Sequence, residues 1–191
     1  MLKSKILKEY GTPCAVINLD VVEKNIFRAQ QLCDAKQLAN RPHVKTHKST
    51  ILARMQIKAG AKGITCQKLG EAEVMQKAGI DDIIVATNLL GAARSGRLST
   101  FLKRCPIKVC ADNPFTLEAY SIAANAAGRP LDVIIECDTG LRRAGVETPQ
   151  EALKLAQIIL KDPNLVFAGL LFYPPLDGWP STQIFYDKLK K

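Results

Sequence analysis

Apolar positions recur along the chain in two alternating periods. Short runs rich in β-branched residues are followed by longer stretches in which apolar residues return every three to four positions. The short runs at residues 42–46, 63–67, 82–87, 107–111, 131–138 and 165–172 predict strands. The stretches at 50–59, 70–78, 92–103, 114–127, 149–160 and 182–190 predict helices between and after them. Upstream, residues 13–19 predict a further strand and 20–38 a helix. The punctuation agrees. Gly60, Gly79 and Gly128 stand just past helices, where a left-handed cap is needed. Asn113-Pro114 and Thr148-Pro149 place a capping side chain before a proline in the first turn.

Several predicted strands are apolar nearly throughout, such as Val133-Ile134-Ile135 and Ile83-Ile84-Val85. Strands buried on both faces read this way, as in a parallel sheet covered by helices. Six strand–helix units suggest a (β/α) barrel or a doubly wound sheet. A closed barrel needs eight units and typically about 250 residues, so the sheet is expected to be open or the barrel unfinished. No Gly/Ser linker or low-complexity segment divides the chain, which predicts one partial domain over residues 1–191.

Hydrophobic residues make up 47% and charged residues 24%, as in ordinary globular proteins. No apolar run is long enough to span a bilayer, and residues 1–10 form a short basic tail without the features of a signal peptide. A cytoplasmic location is expected. The net charge of +9 raises the question of nucleic acid. The basic residues are scattered, with small groups only at the two ends, so solvated surface charge is preferred and neither nucleic acid nor membrane is expected as a partner. Six cysteines match no zinc-type spacing and read as reduced, largely buried thiols.

Three segments carry candidate chemistry. Arg41-Pro42-His43-Val44-Lys45-Thr46-His47-Lys48 contains both histidines of the chain. On a strand, His43, Lys45 and His47 share one face. A lysine turned into a barrel loses hydration, which favours its neutral, nucleophilic form and Schiff-base chemistry. The alternative is a basic surface loop with two capping histidines. Glu136-Cys137-Asp138-Thr139-Gly140-Leu141-Arg142-Arg143-Ala144-Gly145-Val146 follows the fifth strand, at the strand end where barrels place their chemistry. An arginine there suits a ring nitrogen, a carboxylate or a phosphate, or forms a structural pair with an aspartate. Tyr173 ends the sixth strand at the same rim, or is a core tyrosine.

Together with TPCAVINLD at 12–20, GITC at 63–66, LGEAEV at 69–74 and AGIDDI at 78–83, these segments resemble the D-threonine aldolase and D-serine dehydratase family. The likeness covers about residues 12–187 and is most specific at RPHVKTHK. It implies a (β/α)8 TIM-type barrel of the alanine racemase N-terminal kind, incomplete here at about six strand–helix units and without the C-terminal β domain. It implies that Lys45, not Lys48, carries pyridoxal 5′-phosphate, that Arg143 faces the pyridine nitrogen and that Tyr173 lies near the cofactor. With His43 and His47 beside it, Lys45 completes the expected catalytic set.

The activity implied is lyase chemistry on D-amino acids: retro-aldol cleavage of β-hydroxy-D-amino acids to glycine and an aldehyde, then dehydration, then racemisation. A homodimer is implied for the full-length family. The non-enzyme alternatives are a pyridoxal-phosphate-binding homeostasis protein and an inactive truncated relative. Two departures stand out. Arg142 occupies a position where the family loop often has glycine, and no histidine follows His47. The family's divalent-metal ligands near the C-terminus are thus missing from this chain, and little turnover is expected of these residues alone.

Overall fold

The structure, a computed structural model, describes residues 2–190. The chain forms two compact units, residues 1–39 and 40–191. In the first, α1 (Leu2–Tyr10) is a helix where the sequence predicted a tail. Leu2, Ile6 and Tyr10 recur every four positions, a helical spacing the flanking lysines obscure. Helix α2 (Leu19–Ala35) is capped by Asn18, whose side chain accepts from the Val21 amide at 3.3 Å. Residues 13–18, read as a strand, are irregular. A strand is defined by its ladder to a neighbour, and an apolar pattern alone does not supply one.

The second unit begins its regular structure with α3 (Thr50–Lys58) and then alternates strictly. Strand β1 (Ile64–Cys66) leads to α4 (Leu69–Lys77), β2 (Ile83–Val85) to α5 (Ala92–Arg104), and β3 (Lys108–Ala111) to α6 (Pro114–Ala127). Then β4 (Leu131–Cys137) leads to α7 (Pro149–Lys161), and β5 (Leu165–Phe172) to α8 (Trp179–Leu189). The predicted caps form. Asn113 Oδ1 accepts from the Thr116 amide at 2.9 Å, and Thr148 and Glu151 make a reciprocal capping box. Gly128 closes α6 at φ 67°, in the left-handed region.

All five strands are parallel and lie in sequence order β1-β2-β3-β4-β5. Right-handed crossovers that always step the same way put every helix on one face. A doubly wound sheet reverses its order and carries helices on both faces, so this is barrel-type winding. Leu131, Val133, Ile135 and Cys137 of β4 face the helices and are buried in the main core with Leu117, Tyr120, Leu155 and Ile159. The alternate residues, Asp132, Ile134 and Glu136, therefore point to the helix-free face.

The expected strand at 42–46 is a correction. It is reduced to one parallel bridge, His43 to Thr65, made by Thr65 N–H to Pro42 O at 2.8 Å and Val44 N–H to Thr65 O at 2.9 Å. The backbone then turns, because Lys48 N–H bonds Val44 O at 2.8 Å and Ser49 Oγ caps α3. Turn and cap chemistry at 47–50 overrides the β-branched pattern. The described sheet thus holds five strands rather than six.

At the N-terminal ends of the strands an ion network ties neighbours together. Arg41 meets Asp82 through two bonds of 2.9 Å, and Lys108 lies 3.6 Å from Asp82 and 3.8 Å from Asp132.

Candidate active site

The C-terminal ends of the strands present a row of polar residues: Gln67 after β1, Thr87 and Asn88 after β2, Asp112 after β3, Asp138 after β4 and Tyr173 after β5. Because His43 bridges Thr65 in parallel, residues 44–47 leave toward this same end. The turn, rather than a strand face, groups the predicted residues, so the expected alternation of His43, Lys45 and His47 does not hold.

Backbone amides fix both imidazoles. The Lys45 amide donates to His43 Nδ1 at 3.3 Å, and the Ser49 amide donates to His47 Nδ1 at 3.0 Å. A nitrogen that accepts carries no proton, so the neutral rings hold theirs on Nε2. His43 Nε2–H then donates to Gln67 Oε1 at 3.3 Å. His47 Nε2 is buried with no partner, an unused donor beside Lys45 in sequence. Burial, and after it the charge of Lys45, push the His43 imidazolium below its ordinary range, while Gln67 and Glu71 pull weakly the other way. His43 is therefore neutral at pH 7.

The two lysines of the motif are sorted by position. Lys48 is exposed at φ 50° and lies 3.5 Å from Glu71 in a surface ion pair. Glu71 in turn accepts from the Gln67 amide at 2.8 Å. Lys45 is half-buried, beside the neutral imidazole of His43.

The loop after β4 is drawn tightly against the strand. Val146 N–H bonds Glu136 O at 2.9 Å and Asp138 N–H bonds Val146 O at 2.8 Å. At Gly145, φ is 105°, and a Cβ would sit 2.6 Å from the Asp138 nitrogen, so only glycine fits. Arg142, at φ 54°, lines a cavity of about 500 Å³ with Asp138, Thr148, Ser181 and Lys188. Arg143 turns elsewhere: its guanidinium lies 4.5 Å over the ring of Tyr173. Tyr173 is not a core tyrosine, being 52% exposed. The structure thus brings Lys45 to His43 and Arg143 to Tyr173, both pairs beyond the strand ends of one sheet.

Gln67 was not among the candidate residues, and Glu136 stood there only as the first residue of a segment, without a role. Gln67 orients His43. Glu136 is buried on the helix-free face, its carboxyl pushed up chiefly by burial and held down in part by Arg143. Asp112 and Asp138 add to the upward push. The signal for both residues was the strand-end position, the same one that marked Tyr173.

A half-buried amine beside an imidazole, and an arginine stacked on a tyrosine, thus lie past the C-terminal strand ends. Among the described residues, no three His, Cys, Asp or Glu side chains group to hold a metal.

Comparison with known proteins shows what the chain resembles. Residues 17–183 match the family "Alanine racemase, N-terminal domain". A D-threonine aldolase from Arthrobacter sp is 38% identical over 167 residues, covering 87% of this chain and 44% of the relative. A D-threo-3-hydroxyaspartate dehydratase from Delftia sp. is 39% identical over 145 residues, 76% of this chain and 38% of the relative. The crystal structure of D-threonine aldolase from Filomicrobium marinum superposes with a TM-score of 0.81 at 34% identity, covering 83% of this chain and 43% of that one. The chain spans less than half the length of the relatives it matches.

Proposed function

The chain belongs to the alanine racemase N-terminal domain family, and from that premise we propose that it is the lysine-bearing part of the barrel of a pyridoxal-phosphate enzyme that cleaves β-hydroxy-D-amino acids to glycine and an aldehyde. One observation carries the reading. Of the two lysines in RPHVKTHK, Lys45 is half-buried beside a neutral histidine, while Lys48 is spent on a surface ion pair with Glu71.

Bound pyridoxal phosphate would act as an electron sink for the α-carbon of a substrate amine joined to it. The protein's share is binding and proton placement. Lys45 is the amine that carries the cofactor. Arg143 keeps its protons at any working pH, so it acts only as a donor and leaves the pyridine nitrogen an acceptor. Tyr173 supports the guanidinium. His43 keeps Nε2–H on Gln67, and its neutrality avoids adding a second cation beside Lys45. His47 holds the turn that carries Lys45, its Nδ1 accepting from the Ser49 amide.

Dehydration is the second reading, favoured by the 39% identity to a dehydratase. The substrate is a small D-amino acid, and the six unpaired thiols accord with a cytoplasmic protein.

The test is to mix the purified 191-residue chain with pyridoxal phosphate and record its absorption. An imine band is expected, lost in Lys45→Ala and kept in Lys48→Ala; the reverse would overturn the assignment. Little turnover of D-threonine is expected of these residues alone, and the products formed separate the reactions. Glycine and acetaldehyde indicate cleavage, whereas ammonia and a 2-oxo acid indicate dehydration.

A further inference from the structure

At the end of β3, Asp112 makes three hydrogen bonds that join separate parts of the rim. Its Oδ1 accepts from Asn88 Nδ2 and from Asn113 Nδ2, each at 2.7 Å. Its Oδ2 accepts from the Gly145 amide at 3.0 Å. We propose that Asp112 is the positioning residue that fixes the loop carrying Arg143, by using two amides from rigid elements to aim one carboxylate oxygen at Gly145.

Both amides come from anchored residues. Asn113 is the cap of α6, its own Oδ1 engaged with the Thr116 amide. Asn88 precedes Leu89, whose amide donates to Tyr120 Oη at 3.0 Å, and Tyr120 Oη donates to Cys110 O at 2.8 Å. Tyr120 is fully buried, so this support is fixed in the core. Asp112 is thus oriented before it meets the loop.

At the second end of the loop, Val146 is already bridged to β4 through Glu136 O and the Asp138 amide, and Asp112 adds the hold on the residue before it, Gly145. The first end of the loop is held at Thr139, whose carbonyl accepts from Ser181 Oγ at 2.6 Å and whose hydroxyl lies 2.7 Å from Thr182 Oγ1. Leu141 to Ala144 then cross the rim, with Arg143 near their end. At Gly145 the backbone comes so close to Asp138 that no side chain fits, which lets its amide reach Asp112. An amide held by a carboxylate is a charge-assisted bond, stronger than a neutral one. Fixing both ends of a short span removes most of its freedom, and Arg143 sits two residues from the anchor.

The role assigned to Asp112 rests on the reading of Arg143 above only for its consequence in the loaded protein, and the test keeps the two apart. Amide hydrogen exchange at Gly145 is measured in the cofactor-free chain, with Ile135 in β4 as the control for global opening. Asp112→Ala is expected to speed exchange at Gly145 by about tenfold or more, as for loss of a bond to a charged group, with Ile135 unmoved. Asp112→Asn is expected to free Gly145 as well. The Asn88 and Asn113 amides hold its single oxygen, which leaves its NH2 facing the Gly145 N–H, a donor against a donor.

With pyridoxal phosphate added, Asp112→Ala should give the same spectral change as Arg143→Ala, and the double variant no more than either. Unchanged exchange at Gly145, an equal rise at Ile135, or full protection of Gly145 in Asp112→Asn would overturn the proposal. Should Asp112→Ala not fold, Asp112→Ser is read by the same criteria. If Arg143→Ala leaves the spectrum untouched while Asp112→Ala frees Gly145, the cofactor reading of Arg143 fails and the hold on the loop stands.

Discussion

Two backbone amides decide what the two histidines can do. Each donates to an Nδ1 two residues before it, so each neutral ring keeps its proton on Nε2. Only His43 has a partner for that proton, Gln67. The juxtaposition of His43 and Lys45 can be checked by NMR titration of the cofactor-free chain. His43 should titrate below the ordinary histidine value of about 6.5, because burial and then the Lys45 charge disfavour the imidazolium. In Lys45→Met that charge is gone and the midpoint should rise toward the ordinary value. A midpoint that does not move would mean the ammonium is not beside the ring. The same shift gives a stability sign: a base whose folded value is lowered contributes stability above about pH 6.5, lost as pH falls through the folded value.

Among the elements, β5 is the one whose sequence and surroundings conflict. It is an apolar run of eight residues, yet Val166 is 44% and Phe167 38% exposed. Among the described residues it bonds only to β4. A β-bulge interrupts that pairing between Val133 and Ile134, before the positive-φ Gly169. Phe172, beyond the bulge, is turned to the helices and meets the Phe185 and Tyr186 rings edge-on. A long apolar edge invites pairing with another chain. The 191-residue chain is therefore expected to self-associate at micromolar concentration or above, and Val166→Lys should shift it toward monomer on size-exclusion chromatography. Equal elution of the two proteins would refute the edge as the contact.

At the scale of the whole molecule, the two ends of the sheet do different work. Chemistry-bearing residues gather past the C-terminal ends, whereas Arg41, Asp82, Lys108 and Asp132 tie the N-terminal ends together. Burial raises the Asp82 carboxyl, but the Arg41 bonds and charge, with help from Lys108, outweigh it and hold it below its ordinary range. A carboxylate so depressed contributes stability above its unfolded value of about 3.9, lost as pH falls through the folded one. Acid unfolding should therefore steepen below about pH 4. Asp82→Asn should be less stable at neutral pH and lose less on acidification. An unchanged slope in denaturant-monitored titration would remove Asp82 from the account. The pair is partly exposed, so solvent screening limits its worth.

The alternation of strands and helices, both proline-started caps and the Gly128 stop were legible from local pattern, because period and cap chemistry act within a few residues. RPHVKTHK pointed to Lys45 by another route, its resemblance to a family motif held in one contiguous segment. The rest depends on tertiary contacts. The structure showed that 42–46 is a turn with one bridge, since pairing with Thr65 is a contact across 22 positions. It separated Lys45 from Lys48 through Glu71, and Arg142 from Arg143 through a left-handed residue and the ring of Tyr173. It also brought Asn88, Asp112 and Gly145 together from three different loops. None of these pairings leaves a mark in local periodicity, because each depends on which strand ends the fold sets side by side.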